Sequence, residues 1–160
     1  MKELKRFCSF LIVAILFTSC TKTTDFYTIQ GEAQGSTYSI KYISNEEKVT
    51  KNQIDSLLTA FDLSLSTYRP DSKISKINSG DSTVVVDDFF TETFQLSNQI
   101  YKETKGLFDP TIGVLVNAYG FGPNKKQEDL SQKQIDSLLQ FVGFDKIALN
   151  DNKTISKKHR

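Results

Sequence analysis

The first candidate for chemistry in this chain is a carboxylate set between structure-breaking residues. Asp109 lies in Lys105-Gly106-Leu107-Phe108-Asp109-Pro110-Thr111-Ile112-Gly113, which runs on to Gly120-Phe121-Gly122-Pro123. Four of the chain's eight glycines and two of its three prolines fall here, so special residues rather than a regular element set the backbone. Pro110 fixes its own φ and pushes Asp109 out of the α region. Asp109 is therefore expected to be extended, between a helix end and a new helix start. Loops built this way on rigid flanks often carry function. Asp is also a favoured helix cap, and the pattern by itself favours that plainer role in a helix–loop–helix connection.

Few other groups could share the chemistry. The 160-residue chain has one His, in the basic tail Lys157-Lys158-His159-Arg160, and two Cys, Cys8 and Cys20. A Ser-His-Asp or Cys-His site in the body is excluded, as is a body disulfide or a Cys/His metal site. The net charge of +1, with no face of clustered Lys and Arg, argues against nucleic acid as a partner.

The N-terminus reads as a targeting segment. Lys2, Lys5 and Arg6 precede an apolar run over residues 7–17, too short for a membrane span of ~20 residues. It ends in Leu16-Phe17-Thr18-Ser19-Cys20, similar to the lipobox of bacterial lipoproteins, in which the Cys is lipidated. The alternative is an ordinary secretory signal with a chance Cys. The expectation is a signal at 1–19, lipid attachment at Cys20, a tether at 20–25 and a working domain at 26–160. Such a protein works outside the cytoplasm, anchored to a membrane of the bacterial cell envelope.

The elements that position Asp109 follow from patterning. Residues 26–31 and 36–43 alternate and are rich in β-branched and aromatic residues, predicting a hairpin through residues 32–35. Residues 49–65 carry Ile54, Leu57, Leu58, Phe61 and Leu65 at helical spacing, a predicted core stripe opened by a Thr50/Gln53 capping box. Pro70 makes Arg69 extended, and Asp71 or Ser72 caps a short helix over 73–78 that Ser79-Gly80 ends. Tyr68 and Arg69 then lie beside a helix start, a place suited to anions, although a buried Tyr68 with a surface Arg69 is the plainer expectation. Thr83-Val84-Val85-Val86 predicts a short buried strand. A helix over 89–104 follows, with Phe90, Phe94, Leu96, Ile100 and Tyr101 on its apolar face and Gly106 as its C′ stop. A further helix is expected over 112–119, a polar loop over 124–129, and a helix from Ser131 to Val142 stopped by Gly143. Strands over 144–150 and 154–156 close the chain. Gln-Ile-Asp-Ser-Leu-Leu occurs at 53–58 and 134–139 with unmatched flanks, so it is one helix-start solution used twice rather than an architectural repeat. The whole predicts an α+β fold of about five strands and four helices, largely antiparallel sheet with packed helices. The closing hairpin has no sheet to feed, so the chain is expected to be the N-terminal part of a longer protein.

Four segments in order carry a resemblance. Gly31-Glu32-Ala33-Gln34-Gly35-Ser36-Thr37-Tyr38 resembles G-x-A-M-G-T-x-Y. Leu65-Ser66-Thr67-Tyr68-Arg69-Pro70-Asp71-Ser72-Lys73-Ile74-Ser75 resembles L-S-T-Y-x-P-x-S-x-[IL]-S. Residues 106–117 resemble G-x-F-D-P-T-[IV]-G-x-L-[VI]-N, and Gly120-Phe121-Gly122-Pro123 matches the G-F-G-P that follows. Together they resemble the FAD:protein FMN transferases, the ApbE family. The resemblance implies an ApbE-like fold, incomplete at the C-terminus. It implies an enzyme that takes FAD, cleaves its pyrophosphate with Mg²⁺ and passes FMN to a Thr or Ser hydroxyl of an acceptor protein, releasing AMP. It assigns FAD contacts to Gln34, Tyr68, Leu107, Phe108 and Asp109, with Gln34 standing where the family usually has Met. Tyr68 and Phe108 offer aromatic surface to a flavin or adenine ring. The family's D-L-G-G-I-A-K-G segment and its Mg²⁺-binding Asp and Thr are expected beyond residue 160. The other readings are a lipid-anchored flavin-binding module without transferase chemistry, an inactive remnant, and a structural surface lipoprotein.

Overall fold

The computed structural model describes residues 24–123 and 129–158. The signal segment, Cys20, most of the tether, loop residues 124–128 and His159-Arg160 lie outside them. The chain divides into two units, Met1–Ile54 and Asp55–Arg160.

In the first unit, alternation produces the expected hairpin. β1 (Asp25–Ala33) pairs antiparallel with β2 (Ser36–Ser44), Phe26 opposite Ile43 and Gly31 opposite Tyr38. The expected stop at Gly31 does not occur. The ladder runs to Ala33, and the turn is Gln34-Gly35 alone, with φ of 54° and 74°. Two positive-φ residues give a turn whose twist matches that of the strands, which lets the ladder close this tightly. Tyr42 stacks on Tyr27, ring centroids 5.2 Å apart. Its hydroxyl accepts from the Lys48 and Val49 amides and donates to the Val49 carbonyl, fastening those residues to the hairpin.

Helix starts follow their capping chemistry. α1 (Lys51–Leu65) opens where Gln53 Oε1 accepts from the Thr50 amide (2.8 Å) and Thr50 Oγ1 accepts from the Gln53 amide (3.3 Å). Ser72 caps α2 (Lys73–Asn78), and Asp87 caps α3 (Asp88–Glu103). After α4 (Gly113–Ala118), α5 (Gln132–Leu139) repeats the α1 solution: Gln134 Oε1 accepts from both the amide and the hydroxyl of Ser131. The twice-used hexapeptide is thus a helix start in both places. β3 (Ile147–Leu149) and β4 (Ile155–Lys157) form a second antiparallel pair, separate from the first.

The core of the second unit is small. Ile77, Val86, Phe90 and Ile155 are buried together, with Leu65, Ile74, Val84, Phe94 and Leu149 packed on them. Phe144 is also buried and lies against the rings of Phe94 (4.9 Å) and Tyr101 (5.7 Å).

Several expectations need correction. Residues 83–86 form no strand. Val86 is buried, but its amide meets only the Lys153 carbonyl (2.8 Å), one bond rather than a ladder. The α1 stripe is half-buried at best: Leu57 is exposed, and Ser64 is the buried residue of that helix. Leu96 of α3 is likewise exposed. α5 ends at Leu139, three residues short of Val142, and a 3₁₀ turn (Phe144–Lys146) precedes β3. The described residues therefore hold four strands and five α-helices, still an α+β fold with antiparallel pairing. No helix among them is long and apolar enough to cross a membrane.

Candidate functional site

The stretch from Lys105 to Phe121, which presents Asp109, is fixed at both ends by the same backbone device. α3 ends in a Schellman motif: the Gly106 amide donates to the Tyr101 carbonyl (2.9 Å) and the Lys105 amide to the Lys102 carbonyl (3.1 Å). The left-handed C′ residue is Lys105, at φ 53°, not Gly106 as expected; Gly106 follows at φ 83°. Two successive positive-φ residues turn the chain sharply off the helix. Thr104 Oγ1 then accepts from the Phe108 amide (3.1 Å) while donating to the Ile100 carbonyl (2.8 Å). Held so, Leu107 is 94% exposed and Phe108 41% exposed, a display that burial of apolar surface opposes.

Asp109 is extended, φ −138° and ψ 106°, as Pro110 requires. Its Oδ1 accepts from the Thr111 amide (2.9 Å) and the Thr111 hydroxyl (2.6 Å), capping a 3₁₀ turn (Pro110–Ile112) that leads into α4. The plainer expectation of a capping Asp therefore holds for this oxygen. Oδ2 has no hydrogen-bond partner among the described residues. One carboxylate thus fixes the loop with one oxygen and has the other available for a ligand.

α4 also closes with a Schellman motif, the Phe121 amide reaching the Val116 carbonyl (3.0 Å) and the Gly120 amide the Asn117 carbonyl (3.0 Å). Gly122 is required by close approach, since a Cβ there would overlap the Asn117 side chain and stand 3.1 Å from its Cα. Phe121 is left 78% exposed. Sequence reasoning passed over Phe121 as a site residue, although an aromatic flanked by glycines in a motif was a usable signal.

Tyr68 is exposed, which overturns the plainer expectation of a buried ring. Its hydroxyl donates over a long 3.5 Å to the Phe121 carbonyl, joining two segments 53 residues apart. The loop that carries it is held from below by Ser72. This fully buried hydroxyl donates to the Ser66 carbonyl (2.7 Å) and accepts from the Ser75 amide (3.1 Å). Arg69 is paired within its own loop. Nε and Nη2 donate to the two oxygens of Asp71 (3.1 and 2.8 Å). Those hydrogen bonds hold the Asp71 carboxyl below its ordinary pKa and raise the Arg69 value.

Beside these loops is a groove of about 1030 Å³, lined by Tyr68, Thr111, Ile112 and Phe121 and by Phe94 and Phe144 of the core. Leu107, Phe108 and Asp109 are not among its walls. The second unit thus brings Tyr68 to Phe121 on the groove, while Leu107, Phe108 and Asp109 precede its Thr111 wall in sequence. Gln34 belongs to the first unit, at the hairpin tip in the left-handed region. No group of three or more His, Cys, Asp or Glu among the described residues is arranged to hold a metal.

Exposed aromatic faces, an available carboxylate oxygen and an apolar groove suit a ligand with planar rings and polar edges. The comparisons point the same way. The ApbE family signature matches residues 34–160. An FAD:protein FMN transferase of Haemophilus influenzae is 30% identical over 169 aligned positions, covering 98% of this chain and 49% of the relative. One from Vibrio cholerae is 30% identical over 89% of this chain and 45% of the relative. The flavin transferase ApbE from Vibrio cholerae superposes at a TM-score of 0.74 and 27% identity, over 84% of this chain and 46% of that one. The apo flavinyl transferase ApbE of Pseudomonas stutzeri superposes at 0.76 and 25% identity, over 84% and 45%. The chain spans about half the length of the curated relatives it matches.

Proposed function

The chain belongs to the ApbE family, and we propose from that premise that it supplies FAD-contacting surface of an FAD:protein FMN transferase. The observation that carries the reading is the three loops, each fixed by local hydrogen bonds, that display Tyr68, Leu107, Phe108 and Phe121 against burial and leave Asp109 Oδ2 available. Tyr68 and Phe108 face the isoalloxazine or adenine ring, and Asp109 accepts a hydrogen bond from a polar edge of FAD. The family resemblance assigns a further FAD contact to Gln34.

In the proposed reaction, a Thr or Ser hydroxyl of the acceptor protein attacks the phosphorus on the FMN side of the FAD pyrophosphate. The bond to the AMP phosphate breaks, AMP leaves, and the hydroxyl proton goes to solvent or a base. Mg²⁺ enters through the family resemblance; when bound it would neutralise pyrophosphate charge. The described residues do not form a site that fits it, so their proposed part is binding and orienting FAD.

The sequence anatomy of residues 1–20 supports a lipid anchor at Cys20 and a location on a membrane of the cell envelope. Cys20→Ser is expected to move the protein from the membrane fraction to the soluble fraction.

The test of function incubates the full chain with FAD, Mg²⁺ and an acceptor protein, reading flavin on the acceptor by mass and AMP by chromatography. FAD bound without transfer is the expected result, because the described residues form no Mg²⁺ site. Flavinylation with matched AMP release would show that the chain carries out the transfer itself, and absence of FAD binding overturns the reading.

A further inference from the structure

Asp109 is tied to a distant turn through one side chain. Thr111 Oγ1 donates to Asp109 Oδ1 (2.6 Å) and accepts from the Gly143 amide (2.7 Å), a partner 32 residues further on. Gly143 stands at φ 142°, a conformation that L side chains rarely adopt. A Cβ there would also sit 2.7 Å from Asp145 Oδ1. Its carbonyl meanwhile accepts from the Lys146 amide, closing the 3₁₀ turn that precedes β3. One hydroxyl therefore runs a two-bond chain from the turn before β3 to the carboxylate.

We propose that Thr111 is a positioning residue for FAD binding, aiming Asp109 Oδ2 by locking Oδ1 to the Gly143 turn. The inference rests on the reading of Asp109 as an FAD contact. The geometry gives the reason. A carboxylate held by its own loop alone keeps rotation about its χ2, which is broad for Asp. The Thr111 amide supplies one restraint on Oδ1 and the hydroxyl a second, shorter one. The hydroxyl's other hydrogen bond extends that restraint to the turn at Gly143, a fixed point outside the loop. Binding energy then need not be spent on ordering the carboxylate.

The test measures FAD affinity of the full chain in detergent by quenching of flavin fluorescence, for the parent, Thr111→Val, Thr111→Ser, Asp109→Ala and Asp109→Ala/Thr111→Val. Val keeps the shape and the amide bond and removes the hydroxyl; Ser keeps the hydroxyl. Thr111→Val is expected to weaken FAD binding by about tenfold, the size of one charge-assisted hydrogen bond, with Thr111→Ser near the parent. Because Thr111 acts through Asp109, Thr111→Val should cost nothing further once Asp109 is Ala. A general loss of structure would instead lower affinity in both backgrounds, and that additive result overturns the proposal even if Thr111→Val is partly unfolded. Parent-like affinity of Thr111→Val overturns it too while leaving the FAD reading intact. Failure of the parent itself to bind FAD overturns the reading of the site, and the inference with it.

Discussion

Replacing Asp87 by Ala should destabilise the protein by about 2–4 kcal/mol, and the structure says how that figure divides. Asp87 Oδ1 accepts two hydrogen bonds, from the Phe90 amide (3.0 Å) as the N-cap of α3 and from the Ser64 hydroxyl (2.7 Å). Loss of an Asp cap costs about 0.5–2 kcal/mol. Ser64 is fully buried, so removing its acceptor strands a buried hydroxyl at about 1–3 kcal/mol. The second part vanishes if the hydroxyl is removed as well. Ser64→Ala should therefore be destabilising in the parent and stabilising in the Asp87→Ala background, leaving the double variant about 1 kcal/mol below the parent from the cap alone. Urea unfolding of the full chain followed by far-UV circular dichroism, with the m-value held constant, reads all four species. Equal effects of Ser64→Ala in both backgrounds would refute the reasoning, because the two groups would then not share a bond. The link matters to the site: it ties the end of α1, which leads into the Tyr68 loop, to the start of α3, which leads into the loop at Lys105.

Three further outcomes follow from the same geometry. Ser72→Ala removes the α2 cap and one bond to the Ser66 carbonyl, which keeps a weaker one from Ser75 Oγ (3.3 Å). Denaturant unfolding should show a loss of about 1–2 kcal/mol. Lys105→Gly relieves a non-glycine residue in the left-handed region and should raise stability by up to about 1 kcal/mol, read as a higher Tm. Hydrogen bonding by Arg69 depresses the Asp71 carboxyl. As pH falls, the unfolded chain binds that proton first, so the pair's contribution is full above about pH 5 and is lost as pH drops below about 4. Asp71→Asn should flatten that part of the acid-unfolding curve.

Local chemistry in this chain was legible from sequence wherever a few adjacent residues decide the outcome. The two capping boxes, the Ser72 cap, the hairpin and the extended Asp109 all depend on neighbours within about four residues, and all formed. Failures arose where a distant partner decides. Val84-Val85-Val86 has strand composition, but a strand needs a ladder, and what it meets is one carbonyl of Lys153 and the Lys73 side chain. The apolar stripe of α1 has a core pattern, yet Leu57 stays exposed, because periodicity says which residues share a face and not what covers it. Pattern alone placed Tyr68 inside. The Ser72 clamp under its loop and the carbonyl of Phe121 hold it outside. The Thr111–Gly143 bond spans 32 residues, and no local pattern announces it. The family motifs marked the candidate site residues in sequence; the hydrogen bonds explain why apolar side chains stand in solvent there.

FAD contact is proposed for the loops at 66–72, 105–113 and 119–123. Amide hydrogen exchange of the full chain with and without saturating FAD tests it most directly. Slowed exchange is expected, concentrated in those three loops, with β3 and β4 unchanged. Protection confined to other segments, or none at FAD concentrations that protect a full-length relative, would overturn the proposal.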